Sequence, residues 1–274
     1  MNRVVLFLSL VNSLALSATA QPPAPAAQPI APKDGVIELF NGRDLSGWYT
    51  FLKDTKYDDP RKVFTVHDGL IHISGDGLGC ITTVNEYRDY HLVTEWKWGP
   101  RTWPPREART KDSGILVHSV GPDGAHGGVW MASFEAQVIE GGCGDFIIVT
   151  GNDANGSPIP LSLTAEVTKD RDGETVWHKG GERKTLTKGR INWYGRDPDW
   201  KDVLGFRGAQ DVESPDGQWN REEVVCDGGK ITNIVNGVVV NEATEASPSA
   251  GKIQIQTELA EIFFRKIELH PIKH

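Results

Sequence analysis

The chain has 274 residues, 38% of them hydrophobic, and a net charge of −8. The acidic balance argues against nucleic acid as a partner, because that partner requires a basic face. The length suffices for one large all-β domain or two small domains.

The first twenty residues predict a signal peptide. Asn2 and Arg3 give a positive start, and residues 4–16 form an apolar run that is too short to span a bilayer. Ala18-Thr19-Ala20 fits a small-x-small cleavage site. We therefore expect export to the periplasm or the medium, without stable membrane insertion, and leave a membrane anchor as the alternative.

Residues 21–33 consist mainly of proline and alanine and predict an extended spacer. The folded part is then expected to begin at residue 34 and to run as a single domain to residue 274. Cys80, Cys143 and Cys226 allow one disulfide or none, because an odd count leaves a spare thiol.

Short runs of β-branched and aromatic residues, separated by Gly, Asp and Asn, predict an all-β fold. Asp68-Gly69 and Asn236-Gly237 are favoured hairpin turns. The predicted strands are 63–66, 70–73, 90–98, 115–120, 134–139, 222–225, 230–235, 238–240, 252–257 and 261–269. About ten strands at these spacings indicate a β-sandwich or jelly roll.

Residues 150–218 interrupt this pattern as an insertion rich in Gly, Asp and Pro. A long excursion from a sandwich is often a functional loop system, and the aromatic residues within it argue against disorder. We expect ordered loops over one end or face of the sheet, with one short extra hairpin.

The strand around Glu135 carries the strongest site signal. Because side chains alternate along a strand, Phe134 points to the core while Glu135 and Gln137 point to the opposite face. Glu140 has the other parity and joins them only across a bulge. This row suits acid–base chemistry, although a solvent-exposed polar strand face explains the same pattern.

Other polar and aromatic residues are weaker candidates for the same site. Gln256 and Glu258 alternate with apolar residues on the strand near the end of the chain and suit sugar hydroxyls. His118 is a candidate for proton transfer or for binding a metal ion together with Glu135. The tryptophans beside polar and Gly-rich stretches are candidates for stacking on sugar rings: Trp130, Trp193 and Trp219.

Several short motifs resemble the 3-keto-disaccharide hydrolase domain family, in the same order and over nearly the whole mature chain. They include Leu39-Phe40-Asn41-Gly42-Arg43-Asp44-Leu45-Ser46-Gly47-Trp48, Asp68-Gly69-Leu70, Tyr87-Arg88-Asp89-Tyr90-His91-Leu92, Ser113-Gly114-Ile115, Glu135-Ala136-Gln137-Val138-Ile139-Glu140, Gly217-Gln218-Trp219-Asn220, Val235-Asn236-Gly237-Val238 and Gly251-Lys252-Ile253-Gln254-Ile255-Gln256. The chain departs from the usual pattern in its insertion, in Glu140 where Asp is frequent, and in Asp112 where Asn is common.

The resemblance implies a concanavalin-like jelly roll of two antiparallel sheets, one of them sugar-binding. It also implies cleavage of 3-keto-glycosides by abstraction of the C2 proton, elimination of the C1 substituent and hydration. In that chemistry Glu135 is the candidate base or metal ligand, Glu140 the candidate acid or ligand, and Gln137 the residue that orients the substrate. His118 and Glu258 are secondary candidates.

The cofactor stays open, although a divalent metal ion would stabilise the enolate. The resemblance further suggests a partner oxidoreductase that supplies the keto-sugar. Two alternatives to an enzyme stay open on the sequence: a non-catalytic carbohydrate-binding jelly-roll module, and a structural or adhesive exported domain.

Overall fold

The structure is a computed structural model that describes residues 28–273. The predicted signal peptide, residues 1–20, and residues 21–27 of the predicted spacer lie outside the described residues. The remainder of that spacer already contacts the domain: the Ile30 backbone N–H donates to the carbonyl oxygen of Glu86 at 2.8 Å, and Ile30 forms a parallel bridge with Tyr87.

Residues 28–273 form eighteen strands and no helix. The strands are β1 (Ile37–Glu38), β2 (Trp48–Leu52), β3 (Phe64–His67), β4 (Leu70–Ile73), β5 (Leu78–Thr83), β6 (Tyr90–Thr102), β7 (Asp112–Val120), β8 (Ala132–Ile139), β9 (Phe146–Val149), β10 (Ser162–Lys169), β11 (Thr175–Trp177), β12 (Glu182–Leu186), β13 (Gly189–Ile191), β14 (Asn220–Asp227), β15 (Lys230–Val235), β16 (Val238–Ser247), β17 (Lys252–Glu258) and β18 (Ala260–His270). The predicted all-β class is therefore confirmed, with more strands than expected.

The strands form two antiparallel sheets. The larger sheet has eleven strands in the order β11-β10-β16-β15-β14-β6-β18-β4-β3, with β1 beside β18 and β12 beside β10. The smaller sheet has seven strands in the order β13-β9-β8-β7-β17-β5-β2. The architecture is the concanavalin-like jelly-roll sandwich that the resemblance implied.

Alternation along the strands builds the core between the two sheets. Phe134, Ala136 and Val138 of β8 are buried in the core, as are Ile253 and Ile255 of β17. Every second residue of these strands therefore lies on the outer face of the smaller sheet, where the polar side chains collect.

The predicted hairpin turns have the expected backbone conformation. Asp68 and Gly69 join β3 to β4 with φ angles of 52° and 75°. Asn236 and Gly237 join β15 to β16 with φ angles of 48° and 83°. Positive φ at both central residues is the type I′ signature, which matches the twist of the flanking strands.

The insertion contains more strands than the one short hairpin that was expected, although most of its residues lie in loops. It contains four strands: β10 pairs with β16 in the larger sheet, whereas β13 pairs with β9 at the edge of the smaller sheet. Leu163, Ala165 and Val167 of β10 alternate with more polar residues and belong to the core. This period-two alternation is typical of a strand with one face in the core. The many Gly, Asp and Pro residues around β10 made the alternation hard to recognise in the sequence.

The three cysteines are buried and free. No helix within the described part of the chain is long and apolar enough to cross a membrane.

Candidate functional site

A row of side chains crosses the outer face of the smaller sheet. Strand register places Arg190 of β13 opposite Ile147 of β9, and Ile147 opposite Glu135 of β8. The row continues from Glu135 to Leu116 of β7 and then to Gln254 of β17. Neighbouring strands therefore carry these residues side by side, although they are far apart in sequence.

A cleft of about 190 Å³ opens on this face. It is lined by Asp112, His126, Trp130, Glu135, Gln137, Ile147, Ile148, Val149, Arg190, Gln256 and Glu258. Gly114 lies under the polar side chains of the cleft, because a Cβ atom there would collide with Oε1 of Glu135 and would lie 2.5 Å from Oε1 of Gln256. The missing side chain therefore leaves room for the carboxyl and the amide over β7.

The loop 121–131 closes one side of the cleft. The Trp130 indole N–H donates to the carbonyl oxygen of Gly79 at 3.1 Å, and the Met131 backbone N–H donates to Oε1 of Gln254 at 3.0 Å. The hydroxyls of Tyr49 and Tyr57 each donate to Asp123 at 3.0 Å. These contacts hold the loop over the half of the sheet face that lies towards β5 and β2.

Residues from two loops close the opposite side. The Arg106 guanidinium lies 3.0 Å from Oδ2 of Asp112 and donates to the carbonyl oxygen of Thr110 at 2.8 Å. Asp202, in the insertion, accepts from the Thr110 hydroxyl at 2.8 Å. The cleft is therefore a short pocket rather than a groove running across the whole sheet.

Glu135 is a strongly perturbed acid on the floor of the cleft. Its carboxyl is buried, and burial raises its pKa to about 8. The nearby Asp112 carboxyl also raises the pKa, while Arg190 and a hydrogen bond to Gln256 lower it. A buried carboxyl with a pKa close to neutral can exchange a proton with a ligand at ordinary pH.

Asp112 and Glu258 form a second pair of acids at the Arg106 end. Burial raises the pKa of both carboxyls, and the charge of Asp112 further raises that of Glu258, which lies well above its usual range. Asp112 accepts a hydrogen bond from Nε2 of Gln137 at 2.6 Å and contacts Arg106, whereas Glu258 lies 3.9 Å from the same guanidinium. Asp112 is thus better placed to carry the negative charge, and Glu258 the proton.

Five of the residues that the sequence nominated meet in this cleft: Glu135, Gln137, Trp130, Gln256 and Glu258. Trp130 lies at the edge, with its ring stacked on His126 at a centroid separation of 6.0 Å. The predicted alternation of Glu135 and Gln137 away from the core agrees with the structure.

Glu140 does not line the cleft. Its Oε2 atom accepts hydrogen bonds from the backbone N–H groups of Lys111 and Gly205, both at 2.9 Å. The carboxylate therefore ties the end of β8 to the loop before β7 and to the insertion. The alternation along β8 predicted that Glu140 would point away from the face of Glu135. No bulge in β8 changes that direction.

His118 also points away from the cleft. A register shift between Val117 and Val120 and a φ of 51° at His118 turn its side chain to the other face of β7. The ring packs edge-on against Phe134 and Tyr90, and its Nδ1 atom lies 3.1 Å from the carbonyl oxygen of Pro248. Burial lowers the pKa of His118 to about 4, so the ring is neutral at ordinary pH.

Trp193 and Trp219 are likewise separate from the cleft. Trp193 is buried in the core, because the insertion that carries it packs into the sandwich. Trp219 lies on the larger sheet, where its ring contacts Lys97 at 5.0 Å and Arg265 at 4.3 Å. Both rings therefore serve packing rather than the cleft.

Sequence reasoning missed four residues of the site: Arg106, Asp112, His126 and Arg190. Asp112 and Gly114 are two residues apart on β7 and so lie on the same face of the strand. This spacing could have placed Asp112 on the outer face of the sheet. Arg190 lies on β13, and treating the insertion as loops removed the alternation that would have identified it. Arg106 and His126 lie in loops, whose course no periodicity reveals.

Metal binding was an open expectation for Glu135 and His118, which lie on opposite faces of the smaller sheet. Across residues 28–273, no group of three or more His, Cys, Asp or Glu side chains is arranged to hold a metal ion.

Several solved structures are similar to this chain. A protein of Parabacteroides distasonis ATCC 8503, provisionally described as a glycosyl hydrolase, is 20% identical with a TM-score of 0.49 and covers 88% of this chain and 95% of its own. A carbohydrate-binding module of Bacillus subtilis, CBM66, is 10% identical with a TM-score of 0.43, covering 81% and 94% of the two chains. A Bacillus licheniformis β-glucanase is 11% identical with a TM-score of 0.42, covering 88% and 99%.

No curated protein sequence matches this chain. A domain family described as 3-keto-alpha-glucoside-1,2-lyase-like matches residues 35–270, which is nearly the whole described structure. That match places the chain among carbohydrate-active domains. The chain is therefore a member of the 3-keto-alpha-glucoside-1,2-lyase-like domain family.

Proposed function

We propose that the chain is an exported enzyme that cleaves 3-keto-glycosides by elimination of the C1 substituent followed by hydration. The observation that carries the proposal is Glu135, a buried carboxyl with a pKa of about 8 on the floor of the cleft. A general base works best when its pKa lies near the working pH. The family description supports the choice of substrate class.

The first step is abstraction of the C2 proton by the ionised carboxylate of Glu135. The ketone at C3 acidifies that proton, and the electron pair of the C2–H bond moves to form an enolate whose charge lies on the C3 oxygen. Arg190 lines the cleft beside Glu135 and would donate hydrogen bonds to this oxygen. Fixed positive charge at the site of developing negative charge is a strong catalytic contribution.

The second step expels the C1 substituent. The enolate electrons form the C1–C2 double bond, the C3 ketone is restored, and the departing oxygen takes a proton. Glu258 is our candidate donor, since burial and the charge of Asp112 raise its pKa well above the usual range and favour the protonated form. Water then adds at C1 while a proton returns to C2, so the net reaction is hydrolysis.

The remaining cleft residues position the sugar. Gln137 holds Asp112 through a hydrogen bond of 2.6 Å, and Gln256 lies beside Glu135 over Gly114. Trp130 offers an aromatic wall at the edge of the cleft. The short pocket, closed on both sides, suits one sugar ring better than a long polysaccharide.

Export and a partner enzyme complete the proposal. The N-terminal sequence supports export to the periplasm or medium. Because a 3-keto-glycoside arises by oxidation of the C3 hydroxyl, a sugar-oxidising oxidoreductase must supply the substrate.

The test incubates the purified protein with a 3-keto-glucoside and, separately, with its unoxidised parent. We expect cleavage of the keto-sugar alone, a slower rate when C2 carries deuterium, and a rate that rises with pH as Glu135 ionises near pH 8. Glu135→Gln should abolish cleavage, whereas Glu182→Gln, an exposed carboxyl of β12, should not.

Other outcomes would replace the proposal. Cleavage of both sugars without a deuterium effect would identify an ordinary glycosidase. Sugar binding without cleavage would identify a carbohydrate-binding module.

A further inference from the structure

A second and larger opening lies beside the cleft. This groove has a volume of about 810 Å³, against about 190 Å³ for the cleft, and the two share His126 as a lining residue. A glycoside bound with its sugar ring in the cleft therefore has an open space next to it, beyond His126, in which a C1 substituent fits. We propose that the groove is the leaving-group subsite and takes an uncharged, largely apolar aglycone; the assignment rests on the proposed function.

The lining of the groove determines the class of leaving group. Its apolar part includes Pro158, Ile159, Pro160 and Leu161, and Ile159 packs against the core. The rest of the wall consists of small residues, four hydroxyl side chains, the Asn152 amide and the His126 imidazole, and no Asp, Glu, Lys or Arg side chain lines the groove. An anionic or cationic leaving group would find no partner there, whereas an apolar one gains by removing its surface from water.

The groove also has fewer of the strong hydrogen-bonding groups that a second sugar would use. The cleft brings carboxyl, amide and guanidinium groups together around one ring, and such groups match sugar hydroxyls as donors and acceptors. The groove has one amide, that of Asn152, but neither a carboxyl nor a guanidinium, and its only aromatic ring is His126. The contrast between the two openings favours a sugar ring in the cleft and an apolar group in the groove.

The walls of the groove are held in place before a ligand binds. The loop 121–131 and the segment 150–161 are joined where the Asn152 backbone N–H donates to the carbonyl oxygen of Ala125 at 3.2 Å. The His126 Nδ1 atom donates to the carbonyl oxygen of Thr150 at 2.5 Å, and Trp130 stacks on the same ring. Pre-formed walls lower the ordering cost of binding, as is usual in small-molecule sites.

The test compares keto-glucosides that differ only in the alkyl length of the leaving alcohol. Methyl and hexyl 3-keto-glucosides of the same anomer release primary alcohols of similar acidity, and a 3-keto-disaccharide supplies a polar leaving group. We expect kcat/KM for the hexyl compound to exceed that for the methyl compound by roughly tenfold or more, because each buried methylene adds to binding.

Two variants locate the effect in the groove. Ile159→Asn should reduce the ratio of hexyl to methyl kcat/KM by introducing a polar group into the apolar wall. Thr187→Asp, at an exposed position of the rim, should also reduce it and is expected to fold normally. Val239→Asn, an exposed apolar residue of β16 outside the groove, should leave the ratio unchanged.

The outcomes separate this inference from the proposed function. Cleavage of all three compounds with equal kcat/KM for methyl and hexyl, or with the disaccharide preferred, would overturn the apolar subsite and keep the activity. If none is cleaved, the proposed activity fails. Calorimetry then tests the apolar subsite directly. Tighter binding of the hexyl than of the methyl compound supports the subsite, and equal or weaker binding overturns it.

Discussion

Glu135 and Glu140 belong to the same short stretch of sequence and are both buried, but they have different partners. Glu135 lies on the cleft floor with its pKa raised to about 8, whereas Glu140 accepts hydrogen bonds from two backbone N–H groups outside the cleft. The first arrangement disfavours the charged form and suits proton exchange. The second uses the carboxylate as an acceptor that joins chain segments.

Glu135→Gln is expected to stabilise the protein at alkaline pH relative to the wild type. The folded pKa of about 8 lies above the ordinary value of 4.5, so the folded state keeps a proton that the unfolded state loses between these pH values. Wild-type stability is therefore lost as pH rises through this window, on the order of a few kcal/mol. Gln carries no such proton, so urea unfolding should show a larger advantage at pH 8.5 than at pH 5. An equal difference at both pH values would contradict the raised pKa.

Glu140→Gln is expected to behave differently. The amide is a weaker acceptor for the Lys111 and Gly205 N–H groups, so we expect a loss of about 1–3 kcal/mol in the free energy of unfolding. The kcat of folded Glu140→Gln protein should fall far less than the kcat of Glu135→Gln. Denaturant unfolding and kcat measured on one preparation test both parts, and loss of kcat equal to that of Glu135→Gln would return Glu140 to the catalytic site.

At the scale of elements, the insertion supplies structure as well as loops. β10 extends the larger sheet, and β13 extends the smaller sheet and carries Arg190 to the cleft. Loop residues of the same insertion bind Thr110, beside Arg106, and also Glu140 at the end of β8, outside the cleft. The segment that departs most from the family pattern therefore both completes the core and shapes the site.

Leu163→Ala tests the role of β10 in the core. Leu163 is fully buried, so its truncation should cost about 2–5 kcal/mol of unfolding free energy through lost burial and a residual cavity. Val203→Ala is the control in the same insertion, since Val203 is 53% exposed. Thermal and urea unfolding of the two variants measure the contrast. A change below about 0.5 kcal/mol for Leu163→Ala, the range of ordinary surface substitutions, would show that β10 is dispensable.

At the scale of the whole molecule, buried acids govern the response to pH. Burial raises the pKa of Glu135 and Glu222 to about 8 and that of Glu213 to about 7. Each group keeps its proton in the folded state over a range where the unfolded chain has lost it, so each weakens the fold as pH rises. His118, with its pKa lowered to about 4, acts in the opposite direction, but only below the ordinary histidine value of 6.5.

We therefore expect the protein to be most stable in mildly acidic solution and to lose stability from about pH 5 to pH 8. Urea midpoints measured at pH 5, 7 and 8.5 test this expectation, and a maximum at or above pH 8 would contradict it. The urea midpoint should depend less on pH in a variant that combines Glu135→Gln, Glu213→Gln and Glu222→Gln.

Much of the fold was readable from alternation and turn residues. The hairpin at Asp68-Gly69, the hairpin at Asn236-Gly237 and the outward parity of Glu135 and Gln137 depend on neighbours in sequence, and the structure has all of them. Neighbouring residues are enough to predict these features. A turn pair determines its own φ angles, and the pleat of a strand determines which face each side chain points to.

Sequence by itself determined the all-β class, most strand positions, the family and the face on which Glu135 and Gln137 lie. Only the tertiary structure decided that Asp112, His126 and Arg190 line the cleft with them, that Arg106 contacts Asp112 there, and that His118 and Glu140 lie elsewhere. Those outcomes depend on the register between distant strands, on a bulge at His118 and on the course of loops. Such features are fixed by packing of segments far apart in the chain, so no local pattern encodes them.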